Sequence, residues 1–188
     1  MARTQPIRDP ELVHAFLSYY ANTGQHRNNV LLHLGVYTAL RISDILKLNT
    51  NDVYEFTKQR VREHIVVKEK KTGKIRSIAL HPKVIKALTM YIHSAVPGYP
   101  LILNEETGEA ITRVHANRLI DEAARAVHIP HKVSSHSLRK TFGYHAWNNG
   151  ASAVVLMEIF NHASYNVTKR YLGVTQDDQN DVYRNLPI

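Results

Sequence analysis

The chain contains no cysteine. That excludes disulfide staples and thiolate metal sites, and it is compatible with a reducing cytosol. No apolar run approaches the roughly 18 residues that a transmembrane helix needs, and the first residues form no apolar signal segment. A Gly-rich phosphate loop is missing, as is any cluster of paired carboxylates, so no nucleotide, metal or other cofactor is expected. Internal repeats and low-complexity tracts are absent too. Negative charge is scarce: 16 Asp and Glu stand against 24 Lys and Arg, a formal net charge of +8. The excess favours an anionic partner such as a nucleic acid, although a basic surface alone could equally meet a membrane. With 188 residues the expectation is one domain with a sizeable core, soluble and cytoplasmic.

What the chain does contain reads as a mostly helical α+β domain with one small antiparallel sheet. Asp9 and Pro10 are the N-cap and first residue of a helix through Tyr20. Apolar helix-like sequence resumes over residues 28–34 and runs towards Tyr37. Leu40, Ile42, Ile45, Leu46 and Leu48 keep a helical period, so Arg41 and Asp44 are expected to project from a packed helix. Residues 64–67 and 75–80, rich in β-branched side chains, predict two strands joined by a turn at Thr72-Gly73. Between Lys68 and Arg76 there are five cations and one Glu. Pro82 starts a helix to about Ala95, and Thr112 caps one reaching Val127. A further helix spans residues 136–149 and stops at Gly150. Ser152 and Ser164 cap two short helices, the second bearing Tyr171.

Chemistry concentrates in the second half. His136 and Arg139, in His136-Ser137-Leu138-Arg139, lie three apart and share a helix face. His162 follows, and Tyr171 comes nine residues after it. Upstream, Arg41 lies in a largely apolar stretch where a charge needs an anion, either Asp44 or a phosphate. Lys71 lies in Lys70-Lys71-Thr72-Gly73-Lys74. Taken singly, each has an ordinary explanation: Arg139 in a surface ion pair, Lys71 in a solvated turn, Tyr171 as a packing aromatic among ten tyrosines. Together, two imidazoles, two guanidiniums, an amine and a phenol suit work on a phosphodiester. Arginine forks hold its oxygens, and the phenol can attack phosphorus. A free phenol titrates near about 10, so neighbouring cations and an imidazole must ease loss of its proton.

This set, in this order, resembles the catalytic domain of the tyrosine recombinases, or phage integrase family. Residues 34–48 resemble the family's first arginine box. Lys71 matches the lysine in the turn of its β-hairpin, and residues 136–150 its His-x-x-Arg box. Asn161-His162 stands where Gly-His is usual, a departure that touches turn geometry. The resemblance implies site-specific recombination through a 3′-phosphotyrosine intermediate without metal. Arg41, His136, Arg139 and His162 would hold the phosphate, Lys71 would be the general acid, Tyr171 the nucleophile and Asp44 a supporting group. Lys68, Lys70, Lys74, Arg76, Arg113, Arg118 and Lys140 are candidate phosphate contacts on double-stranded DNA.

Only forty residues precede Arg41, so the separate DNA-binding domain that usually comes first in the family is expected to be absent, with residues 1–25 an extension. A monomer in solution that assembles as a homotetramer only on paired DNA sites is expected, with accessory DNA-bending proteins as further partners. The resemblance also implies a bacterial, phage or mobile-element context. In the 17-residue tail, Val182, Tyr183, Leu186 and Ile188 would form an apolar face that docks on a neighbouring subunit or folds back on its own domain. Three alternatives remain open here: nicking and religation of the type IB topoisomerase kind, a catalytically silent DNA-binding module, and a metal-dependent nuclease.

Overall fold

The computed structural model describes residues 4–68, 73–93, 95–174, 176, 180 and 183–186. The chain opens with α1 (Pro10–Asn22), which Asp9 caps by accepting the Glu11 N–H at 2.8 Å. Helix α2 (His26–Tyr37) packs against α1 and buries Val30, Leu31, Leu32 and Leu34. Two one-turn helices follow, α3 (Ile42–Ile45) and α4 (Thr50–Val53). A minimal hairpin of β1 (Tyr54–Glu55) and β2 (Arg60–Val61) then precedes a longer one, β3 (His64–Lys68) with β4 (Ile75–Ala79). Among the described residues there are thus two separate two-stranded antiparallel ribbons, where one had been expected. In β3 the burial alternates strictly, with Ile65 and Val67 inward.

Helix α5 (Pro82–Ile92) lies across α2 and ends three residues before the expected Ala95. Helix α6 (Arg113–Ala126) starts from Thr112, whose hydroxyl accepts the His115 N–H at 3.1 Å. Helix α7 (Ser135–Asn148) runs beneath α2, and the short α8 (Ala153–Phe160) and α9 (Tyr165–Leu172) follow it. Ser152 caps α8 by accepting the Val155 N–H at 3.2 Å.

Two apolar clusters hold this arrangement. The main core joins α1, α2, α5, α6 and α7. A small satellite of Ala39, Leu156, Phe160 and Leu172, flanked by Phe142, Trp147 and Tyr171, holds α8 and α9 against α7. Gly143 makes that contact possible. A Cβ there would lie 2.8 Å from Phe160 Cζ, so any side chain would push the Phe160 ring off α7.

The first arginine box departs from expectation. The apolar period of residues 40–48 does not form one helix carrying Arg41. Helix α2 stops at Tyr37, Ala39 adopts a left-handed conformation at φ 55, and Arg41 is the N-cap residue of α3. Lys70, Lys71 and Thr72 lie outside the described residues, as do Thr175, Asp177, Asp178, Val182 and Ile188 of the tail. Tyr183 and Leu186 are described and are 83% and 58% exposed, so these two do not pack into their own domain.

Candidate active site

Helices α6 and α7 begin on the same side of the molecule. Asn117 of α6 links them, its Oδ1 accepting the Ser135 N–H at 3.0 Å. Between their first turns lies a cleft of about 500 Å³ lined by Arg41, Ser43, Arg113, Ser135, His136 and Arg139. Three arginines and a histidine therefore line a cleft where two 14-residue helices present their positive ends. The helix dipoles favour an anion at such a place. Arg113, expected only as a DNA contact, is a member of this cleft. Its place directly after the Thr112 cap was the available signal.

Arg139 is 2% exposed. Its Nη1 donates to the Ala39 carbonyl and its Nη2 to the Phe160 carbonyl at 2.5 Å, while its Cζ lies 4.9 Å from the centroid of the Phe160 ring. One buried guanidinium thus ties the turn before Arg41 to the turn before His162. Asp44 is also buried, on the α3 turn that Arg41 caps. Phe160 organises the rest. The His162 ring stacks on it at 5.1 Å between centroids, and the Tyr171 ring lies at 5.2 Å. His162 and Tyr171 meet edge to face at 4.7 Å, and His162 Nδ1 is 3.0 Å from Thr168 Oγ1. Neither Phe160 nor Thr168 carries a motif that would single it out in the sequence.

Tyr171 opens into a second cavity of about 890 Å³, with Arg8, His136, Lys140, Lys169 and Arg170 on its walls. His136 lines both cavities, so the arginine cleft and the tyrosine cavity adjoin at that imidazole. The site residues expected from sequence therefore assemble as two neighbouring groups: Arg41, His136 and Arg139 in one, His162 and Tyr171 in the other.

The expected DNA contacts distribute unevenly. Lys68, Arg113 and Arg118 are exposed. Arg76 donates to the Ile159 carbonyl at 2.7 Å and Lys74 to Asn161 Oδ1 at 3.1 Å, so both anchor β4 beside His162. Lys140 donates to the Thr4 carbonyl at 2.5 Å and lies 5.8 Å from the centroid of the Tyr171 ring. Asn161 itself ends α8 at φ 48, a left-handed position that Asn tolerates after Gly, which accounts for its place before His162. Among the described residues no three His, Asp or Glu side chains group as a metal site, and no helix is long and apolar enough to cross a membrane.

Partial burial first, then Arg139, Lys140, Arg113 and Arg41, hold the His136 imidazole below its ordinary pKa. His33, His81 and His131 are lowered as well, chiefly by burial. These groups favour the neutral imidazole in the folded chain. Below the ordinary value of about 6.5 the unfolded chain then binds more protons than the native one, so stability is lost as pH falls through the lowered values. The melting temperature should be level from about pH 8 to 7 and fall progressively below about pH 6.5. Melts across pH 5 to 8 check this, and a flat or rising profile on acidification would contradict it.

The profile described as the phage integrase family matches residues 9–177. The chain is 33% identical over 180 residues to the probable integrase/recombinase YoeC of Bacillus subtilis (strain 168), covering 96% of this chain and 95% of that one. It is 28% identical over 160 residues to tyrosine recombinase XerC of Pelobacter propionicus, covering 84% of this chain but 51% of XerC, about half its length. The fold is that of the XerA recombinase crystal structure, with a TM-score of 0.79 at 20% identity over 98% of this chain and 67% of that one. It also matches XerH bound to its palindromic difH substrate, with a TM-score of 0.76 at 17% identity over 98% of this chain and 54% of that one. The family profile covers the whole arginine cleft and all helices and strands around it, and YoeC aligns over 96% of the chain: this chain belongs to the phage integrase family, the tyrosine recombinases.

Proposed function

We propose that this chain is a site-specific DNA recombinase that cuts and rejoins strands through a covalent 3′-phosphotyrosine, without metal or nucleotide. The observation that carries the reading is the arginine cleft adjoining the His162–Tyr171 pair at His136. Tyr171 Oη attacks phosphorus as its proton passes to a nearby imidazole. The bond from phosphorus to the 5′ oxygen breaks, and that oxygen takes a proton from Lys71. Arg41 and Arg139, joined by Arg113, face the charge that grows on the non-bridging oxygens, where loss of one such donor typically costs about 10² to 10³ in rate. The phosphotyrosine conserves the energy of the broken bond. A 5′-hydroxyl from another strand can therefore reverse the step and complete an exchange.

Double-stranded DNA is the substrate on this reading, with a monomer in solution assembling as a tetramer on paired sites and the exposed Tyr183 and Leu186 available to a neighbour. The test uses a pool of nicked suicide duplexes with randomised sequence, incubated with the protein in EDTA and resolved on a denaturing gel. A covalent protein–DNA band is expected, and its absence would overturn the reading. Duplexes recovered from the band, placed as two copies on one plasmid, should yield rearranged product. Relaxation without rearrangement would instead mark a topoisomerase.

Lys71 offers a separate check. The strand that follows it is docked beside His162 through Lys74 and Arg76. Lys71→Ala should slow cleavage by about 10² or more, the usual worth of a general acid. A substrate with sulfur at the 5′ bridging position leaves without a proton and should restore the rate. Failure of that rescue would remove Lys71 from the role.

A further inference from the structure

Residues 4–8, ahead of α1, do not project from the domain. They cross α7 and reach α9. The Ile7 N–H donates to Thr141 Oγ1 at 2.9 Å, the His145 Nε2 lies 3.0 Å from the Ile7 carbonyl, and Lys140 donates to the Thr4 carbonyl. Ile7 is fully buried. Arg8 then donates from Nη2 to the Gly173 carbonyl at 3.0 Å, with its Cζ 5.3 Å from the centroid of the Tyr144 ring. Gly173 is the residue that ends α9, two positions after Tyr171, and it is left-handed at φ 66. A Cβ on it would come within 3.5 Å of both Pro6 Cγ and Arg8 Nη2. The segment is thus packed directly on the end of the tyrosine helix, and Thr4, Gln5, Pro6 and Arg8 form one wall of the cavity into which Tyr171 opens.

We propose that this segment positions the nucleophile helix, with Arg8 as a positioning residue acting through the Gly173 carbonyl; the inference rests on Tyr171 being the nucleophile. Helix α9 has only eight residues and sits on the small satellite cluster, so its own packing constrains it weakly compared with α7. The Arg8 hydrogen bond fixes its far end. An in-line attack tolerates little misplacement, since about 1 Å can cost roughly 10²-fold in rate. Arg8 therefore bears on the chemical step and not on DNA affinity.

The test is single-turnover cleavage of the suicide duplex with protein in saturating excess. The Kd is measured in a Tyr171→Phe background, and the melting temperature is followed alongside. Arg8→Ala should slow adduct formation roughly 10-fold or more with Kd and melting temperature close to the parent. Arg8→Lys, which keeps a donor for the Gly173 carbonyl, should recover most of the rate. Cleavage by Arg8→Ala at the parent rate overturns the proposal. So does a defect that appears wholly in Kd, which would make Arg8 a phosphate contact, or one that tracks melting temperature without rescue by lysine. If the parent itself forms no adduct, the nucleophile assignment fails first and this inference with it.

Discussion

Tyr171→Phe should abolish the covalent protein–DNA complex, a loss on the order of 10³-fold or more, while DNA binding and folding persist. The substitution removes one hydroxyl and keeps the ring, so the contacts with Phe160 at 5.2 Å and His162 at 4.7 Å survive. The satellite cluster that includes Tyr171 loses no apolar area. A denaturing gel for the adduct and an equilibrium binding curve for the duplex separate the two effects. Persistence of the adduct would transfer the role to another tyrosine. Tyr165, 48% exposed at the first position of the same helix, is the first to test.

Arg139→Lys should be nearly as damaging to cleavage, by about 10² to 10³, and should also lower the melting temperature. The reason is the double duty of the guanidinium. Two of its nitrogens donate to the carbonyls of Ala39 and Phe160, which lie on different segments. A lysine ammonium lacks the two-nitrogen fork that spans these carbonyls, and a buried carbonyl left without a donor costs about 1–3 kcal/mol. Arg41→Lys is the matched control. Arg41 is half-buried at the N-cap of α3, so its replacement should slow cleavage by a similar factor with little change in melting temperature. Single-turnover rates and melting curves for both variants decide the point. Activity of both within a few-fold of the parent would rule out the proposed clamp, and an unchanged melting temperature for Arg139→Lys would rule out its structural role.

The elements that were legible in the sequence are those fixed by local rules. Asp9, Thr112 and Ser152 were expected as caps, and each accepts a backbone N–H two or three residues on. Capping depends on neighbours along the chain, so a sequence displays it. The β3–β4 hairpin was legible for the same reason, through its β-branched residues and Gly73. The conformation at Arg41 was not. Its apolar period continues through Ala39, and the break there coincides with a hydrogen bond from Arg139, 100 residues away. Charge was equally ambiguous. Lys74, Arg76 and Lys140 read only as candidate phosphate contacts, and each also donates within the protein across 83 or more positions. The candidate site positions were picked out as residue types at motif spacing. Their grouping into an arginine cleft and a tyrosine cavity was not, because Phe160 and the helix starts of α6 and α7 arrange it.

The central claim is that Tyr171 becomes bonded to DNA with no metal present. The direct measurement is to form the adduct on a suicide duplex in EDTA, digest both components, and identify the modified peptide by mass spectrometry. The account predicts a nucleotide phosphate on Tyr171 and nowhere else. A phosphate on any other residue, or an adduct that forms only when divalent metal is restored, would contradict it.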